Sequence, residues 1–393
     1  MNKTLILNPH AVLFRDPKIP ETWIIQAPKP ERGLQWLRVD QGTHNNLYDL
    51  FEELGDGNLN LIEIENDLDE TERKLLFELG ILIENGTEFE KPLYSCLLDA
   101  TEPTAFDKNA ELIVDPTFVF EPFDLNKFRN WIQEKNLSPY NPTAWITNSF
   151  TGMRSGYWLN ADQSAVVSTF EPDLAISTDV DLALIEMLFG AGILTTRERL
   201  ENERRMMTAT LSNSSNEFER DGFAVVQKVI GRSQINAMAA FYREFQRLGF
   251  MKFGEELVPL RFAAPLEPLA GTIHRDLTTL MSSIVGESVK PSYCYVGSYV
   301  SGASLIPHVD RPQCEFSFSL QMDYDPMPET EISPWPLYLT TKSGATPIHL
   351  GNGDCLAYKG CEIEHFRDVL PDGHRSVSLF LHYVPLDFDG PLA

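Results

Sequence analysis

Residues 313–323 read Q-C-E-F-S-F-S-L-Q-M-D. Cys314, Phe316, Phe318, Leu320 and Met322 alternate with Glu315, Ser317, Ser319, Gln321 and Asp323. A strict period of two separates an apolar from a polar face and predicts a β-strand. Residues 375–384, R-S-V-S-L-F-L-H-Y-V, alternate the same way, with Val377, Leu379, Leu381 and Tyr383 on one face. From about Lys290 onward, such strands are separated by Gly, Pro and Asp turns, which predicts an all-β barrel or jelly roll. Upstream, residues 216–230 predict a short helix, a turn at Asp221-Gly222 and a strand. Residues 233–250 carry Ile235, Met238, Phe241, Tyr242, Phe245 and Leu248 at helical spacing, with Ser233 as an N-cap candidate.

Just ahead of the first alternating strand stands I-P-H-V-D-R-P-Q-C-E, residues 306–315. In extended backbone His308 and Asp310 share a face. An imidazole and a carboxylate so placed are either two ligands of a divalent metal or a surface turn. His365 supplies a third nitrogen, following a Gly360 bend. Two histidines and one carboxylate form a facial ligand set that holds non-haem Fe(II) and leaves positions open. Arg375 has the strand parity of Val377, Leu379 and Leu381, so it is expected to point into the barrel over an apolar floor. An inward charge is costly without a partner, and a planar guanidinium matches a carboxylate bidentately. A dicarboxylate that chelates the metal at its other end would supply that partner.

His308-x-Asp310, His365 and Arg375, in that order, resemble the Fe(II)/2-oxoglutarate-dependent dioxygenases. Residues 292–321 and 373–384 are similar to the prolyl-hydroxylase-like branch of that family. The resemblance covers residues 212–390. It implies a double-stranded β-helix, Fe(II), 2-oxoglutarate and O2 as cofactor and cosubstrates, and hydroxylation of an unactivated C–H bond, with desaturation or ring closure as further outcomes. His308, Asp310 and His365 are the implied metal ligands, and Arg375 the implied contact to the distal carboxylate. The family often has Ser two residues after that arginine, where this chain has Val377. Tyr299, on a strand face with Tyr293 and Tyr295, is a candidate to compensate; the alternative is that all three are barrel packing. Asp310 fills the position where halogenating relatives carry a small residue. Cys355, Cys361 and His365 have no familiar zinc spacing, and His274, His349, His374 and His382 are expected to be structural. Trp335 either walls a pocket or anchors a loop.

The first half of the chain reads as a duplication. Residues 5–14, LILNPHAVLF, match residues 112–120, LIVDPTFVF, at an offset of 107; FELGIL at 77–82 matches FGAGIL at 189–194 at an offset of 112. In each copy strands precede helices: residues 47–54, 62–68 and 70–82 predict a trio, a winged-helix-like arrangement. The first copy resembles small winged-helix domains that recognise peptides by strand addition; the alternative is dimerisation or scaffolding. Residues 195–207 predict a charged connecting helix.

The expected organisation is therefore α+β and multidomain. Residues 1–100 and 101–205 form duplicated small winged-helix-like repeats, and 206–393 a double-stranded β-helix (jelly roll) with flanking helices. The chain of 393 residues carries 57 acidic and 32 basic side chains, a net charge of -25, which disfavours nucleic acid and anionic membranes. Five cysteines at irregular spacing read as reduced thiols in a cytoplasmic protein. No apolar run has membrane-helix length and no signal peptide is read. The expected partner is a peptide, protein or amino-acid substrate, with a homodimer as a further expectation. The competing function is a non-catalytic scaffold that captures partners through its N-terminal repeats.

Overall fold

The computed structural model describes residues 5–8, 11–15, 19, 21–29, 33–54, 57–58, 68–84, 92, 94–121, 142–177, 179–254 and 258–392. The chain divides into two compact units, residues 1–92 with 241–264, and residues 93–240 with 265–393.

In the first unit, β1 (Leu5–Leu7), β2 (Val12–Arg15), β3 (Thr22–Lys29), β4 (Gly33–Asp40), β5 (Gly57–Asn58) and β6 (Leu82–Glu84) accompany helices Asn45–Leu54 and Glu70–Glu78. The sheet order is β4-β3-β2-β5, with β1 paired to β6. Leu13, Trp23, Ile25, Val39, Leu47, Phe51 and Leu76 form the buried core. Two helices of the predicted trio are present; residues 62–67, where the third was expected, lie outside the described residues.

The other unit opens with β7 (Ile113–Val114), β8 (Val119–Glu121), β9 (Thr143–Thr147) and β10 (Arg154–Trp158), helices Ala161–Val167 and Leu182–Gly190, and β11 (Leu194–Thr195). The pairing of β7 with β11 repeats two pairs of β1 with β6. Ile6↔Ile83 and Leu7↔Leu82 become Ile113↔Thr195 and Val114↔Leu194. The amide of Asn8 donates to Ile81 O, and that of Asp115 donates to Ile193 O. Asp69 and Asp181 cap the equivalent helices. The glycines shared by the two FELGIL-like motifs sit just past those helices at φ 72° and 78°, a left-handed conformation that favours Gly. The motif persists because it ends a helix and aims a strand back at the start of the repeat.

A single helix, Arg197–Asp221, follows. The two helices predicted over residues 195–221 are one, since nothing breaks the pattern until Gly222 closes it at φ 80°. Helix Arg232–Arg247 starts one residue before Ser233, which therefore is not its N-cap.

The remaining strands are β12 (Phe223–Val226), β13 (Lys252–Phe253), β14 (Arg261–Pro265), β15 (Val289–Val300), β16 (Leu305–His308), β17 (Phe316–Asp325), β18 (Leu337–Thr341), β19 (Gly344–Ile348), β20 (Cys355–Lys359), β21 (His365–Arg367) and β22 (Arg375–Pro385). β13 and β14 pair with each other. Two antiparallel sheets build the β-domain: a major one in the order β12-β20-β17-β22-β15, and a minor one in the order β16-β21-β18-β19. Helix Arg197–Asp221 packs on the Phe316 side of the major sheet, its Phe218 ring 6.2 Å from that of Phe316. Tyr383 on the same side donates to His274 O of helix Pro268–Asp276 at 2.8 Å. Phe316, Phe318, Leu379, Leu381 and Tyr383 thus face the helices. Among the described residues, no helix is long and apolar enough to cross a membrane.

Candidate metal centre

β16 and β21 run antiparallel with His308 opposite His365. This register puts the two imidazoles side by side, ring centroids 4.3 Å apart. Asp310 follows β16 by two residues and is held by its amide, which donates to Gly360 O at 2.9 Å. Its Oδ1 lies 3.8 Å from His308 Nε2 and 3.7 Å from His365 Nε2. Two donors about 2.1 Å from one ion stand roughly 3–4 Å apart, so this triangle has the size of a metal's coordination face. Among the described residues, the groups that could hold an ion are this one and Asp310, Cys314 and His382.

The sequence around each ligand fixes its orientation. His308 Nδ1 is 2.9 Å from Ile306 O, and His365 Nδ1 is 3.0 Å from Ile363 O. A carbonyl accepts only, so Nδ1 carries the proton and Nε2 keeps its lone pair for the metal. Ser317 donates to Asp310 Oδ2 at 3.2 Å. Burial pushes the Asp310 carboxyl up to about 6, against the opposing pull of His308. Burial pushes His365 down to about 4. Both shifts favour a cation between them: a neutral imidazole is the ligating form, and a cation restores the carboxylate. The nitrogen and oxygen donors therefore fit a divalent transition metal such as iron.

Ser317 identifies the side of the major sheet that meets this site. It pairs with His382 on β22 and with Tyr358 on β20, and its Oγ is 2.8 Å from His382 Nδ1. Opposite residues in register share a face. The interior face therefore carries Ser376, Ser378, Phe380 and His382 of β22, Ser317, Ser319 and Gln321 of β17, and Tyr295, Gly297 and Tyr299 of β15. Tyr293 and Tyr295 lie against His382, at 4.5 and 6.0 Å between centroids. Tyr299 is fully buried, its ring 5.1 Å from Trp335.

Here the structure corrects the reading of Arg375. Its face, shared with Val377 and Leu379, is the helix-covered one, not the interior. Its charge is partnered within the chain by Asp323 at 3.1 Å and Asp325 at 3.7 Å. His308, Asp310 and His365 are brought together, Tyr299 lies on the interior face, and Arg375 does not. The interior arginine is Arg367, two residues past His365 and buried with it. Its Nη1 donates to Trp335 O at 3.1 Å, and its guanidinium lies 4.4 Å from the Trp335 ring and 5.8 Å from the Tyr299 ring. Parity with His365 was the sequence signal for it. Trp335 is an interior wall, anchored by Nε1 donating to Asp368 O at 2.8 Å.

The other candidates fall into structural roles. Cys355 is buried in β20 and Cys361 Sγ contacts Arg311 O, so neither joins His365. His274 bonds His382 O, His349 bonds Ser333 O and His374 meets Tyr324.

No protein-family model matches the sequence, and no curated protein matches it. Solved structures similar to part of the chain include the non-haem alpha-ketoglutarate-dependent epimerase SnoN of nogalamycin biosynthesis, at 13% identity over 45% of this chain and 82% of that one, TM-score 0.38. A Pseudomonas putida prolyl-4-hydroxylase matches at 16% identity over 44% and 98%, TM-score 0.38. A Trichoplax adhaerens prolyl hydroxylase, in complex with a hypoxia inducible factor peptide fragment, matches at 12% identity over 49% and 94%, TM-score 0.40. Each of these likenesses spans less than half of this chain.

Proposed function

We propose that the β-domain is an Fe(II)- and 2-oxoglutarate-dependent dioxygenase that hydroxylates an unactivated C–H bond of an amino-acid residue in a peptide or protein. One observation carries the reading: Asp310 Oδ1 lies 3.8 Å from His308 Nε2 and 3.7 Å from His365 Nε2, the three residues' ligand atoms fall within 4.8 Å of one another, and both Nδ1 atoms are tied to carbonyls. His308, Asp310 and His365 would hold the iron, leaving its remaining positions for cosubstrate and O2. When bound, the iron would let O2 act as the oxidant, one oxygen atom going into succinate as 2-oxoglutarate is decarboxylated to succinate and CO2, and the other into the substrate C–H bond.

The chain contributes position and protection. Ser317 holds the distal oxygen of Asp310, so the carboxylate presents Oδ1 to the site. The backbone of Gly360 fixes where Asp310 leaves its strand. Trp335, Tyr299 and Phe380 wall the interior with apolar surface, which keeps water from a reactive centre. Asp310 occupies the position a halide would need, which favours hydroxylation over halogenation. The peptide substrate class follows the prolyl-hydroxylase-like resemblance of residues 292–321 and 373–384.

The test is Fe(II)-dependent conversion of 2-oxoglutarate to succinate by the whole chain. The expected result is turnover in the wild type and none in His308→Ala. Well-folded protein that binds no Fe(II) contradicts the reading.

A further inference from the structure

The Asp310 carboxylate has two oxygens, and His308 and His365 account for one. Its Oδ1 lies 3.8 and 3.7 Å from their Nε2 atoms, while its Oδ2 meets the Ser317 hydroxyl at 3.2 Å. Four residues on, the single turn Pro312–Cys314 brings the Cys314 thiol back beside the carboxylate. From β22 comes His382, its Nδ1 2.8 Å from Ser317 Oγ. One atom each of Asp310, Cys314 and His382 can be chosen so that all lie within 4.8 Å of one another. The Ser317 hydroxyl touches all three residues, at Asp310 Oδ2, Cys314 O and His382 Nδ1. Cys314 is 1% exposed and His382 2% exposed, and His382 Nε2 has no hydrogen-bond partner. Whichever tautomer the ring takes, one of its nitrogens is left over, where buried polar groups almost always find a partner.

We infer that Asp310, Cys314 and His382 form a second cation site, suited to zinc, that shares the Asp310 carboxylate with the His308–His365 site. One sulfur, one nitrogen and one oxygen donor are a zinc ligand set, and a thiolate favours such an ion over magnesium or calcium. The donors of a tetrahedral zinc stand roughly 3.3–3.8 Å apart, so the group closes by about 1 Å at its widest. The carboxylate and the thiolate together cancel the charge of a divalent ion, as a buried ion requires. An entering cation displaces the thiol proton. Tyr293 OH, 3.2 Å from Cys314 Sγ, is placed to donate to the thiolate that results. Because one carboxylate serves both sites, loading either one weakens the other, and the coupling is reciprocal. The inference needs a cation and no cosubstrate, so it stands apart from the oxygenase reading.

The experiment is anaerobic titration of the metal-free, full-length protein with Co(II), a spectroscopic stand-in for zinc, followed by the near-ultraviolet thiolate-to-cobalt charge-transfer absorbance. The expected result is a saturable band in the wild type. Cys314→Ser should abolish it, and His382→Gln should weaken the cobalt that produces it more than about 10-fold. His365→Ala should keep the band, since that residue belongs to the other site, and so should Cys361→Ser, which removes the more exposed thiol nearby. If Cys314→Ser does not fold, X-ray absorption of Zn(II)-loaded Cys361→Ser protein carries the test, with a sulfur neighbour at about 2.3 Å expected. No band in well-folded wild-type protein, a band that survives in Cys314→Ser, or a zinc shell of nitrogen and oxygen alone overturns the site. A thiolate band in protein that does not turn over 2-oxoglutarate overturns the oxygenase reading and leaves the site standing.

Discussion

The two faces of β22 follow opposite rules. One carries Val377, Leu379, Leu381 and Tyr383, lies under helices, and is sealed. The other carries Ser376, Ser378, Phe380 and His382, faces the minor sheet, and reaches the proposed metal ligand Asp310 through Ser317. An apolar face has to be covered, but a barrel interior is not its only cover. Here the helices supply the cover and the interior face mixes hydroxyl, amide and imidazole groups with aromatic rings. A sheet between a helical layer and a site keeps its oil on the structural side and its hydrogen-bonding groups on the chemical side.

Substitutions on the two faces should separate metal affinity from stability. The largest effect belongs to the ligands. His365→Ala should lower Fe(II) affinity by more than about 100-fold, beyond what residues that only orient a ligand produce; anaerobic metal titration reads it, and the melting temperature of the metal-free protein should change far less. On the helix side Leu381 is fully buried. Leu381→Ala should cost about 2–5 kcal/mol in chemical denaturation, with Fe(II) affinity unchanged at temperatures where the variant is folded. Equal effects on both quantities would erase the distinction between the faces.

Gly360 sharpens the comparison at the seam. A Cβ there would meet the backbone oxygen of Cys314 most closely, then Asp310 Oδ2 at 2.5 Å and Ser317 Oγ at 2.8 Å. Gly360→Ala should therefore displace the carboxylate and weaken Fe(II) about 10-fold or more. The smallest effect is a change of slope. Burial pushes His274, on the helix side, from 6.5 down to about 4. As pH falls below 6.5 the unfolded chain takes up a proton that the folded chain refuses until about 4. Stability is therefore full above 6.5 and declines as pH drops towards 4. His274→Asn should flatten that decline by up to about one proton in unfolding measured across pH 4–7. An unchanged slope would mean that the buried ring is not what resists acid.

Much of this was legible in the sequence. The offsets of 107 and 112 pointed to two segments that share two register pairs and one backbone hydrogen bond, because the motif carries a helix stop and a strand start within six residues. His308 and Asp310 were legible because both lie on one short extended segment. His365 was legible from residue type and order, although its approach depends on the pairing of β16 with β21. The side of the sheet was not legible. Alternation states which residues share a face, and Arg375 does share one with Val377. It does not state what covers that face, which depends on helices distant in sequence. Nor could it show that Asp323 and Asp325 meet Arg375, since that contact depends on the register of β17 against β22 and on the irregularity between Gln321 and Asp323. Arg367 needed only the parity rule applied to His365, but a three-residue strand gives no periodicity to draw the eye.

The most direct measurement is an anaerobic titration of Fe(II) and then 2-oxoglutarate into the protein, followed by the visible charge-transfer absorbance of the chelated metal. A band in the wild type that is lost in His365→Ala is the predicted result. No band in well-folded wild-type protein, or a band that persists in well-folded His365→Ala, would contradict it.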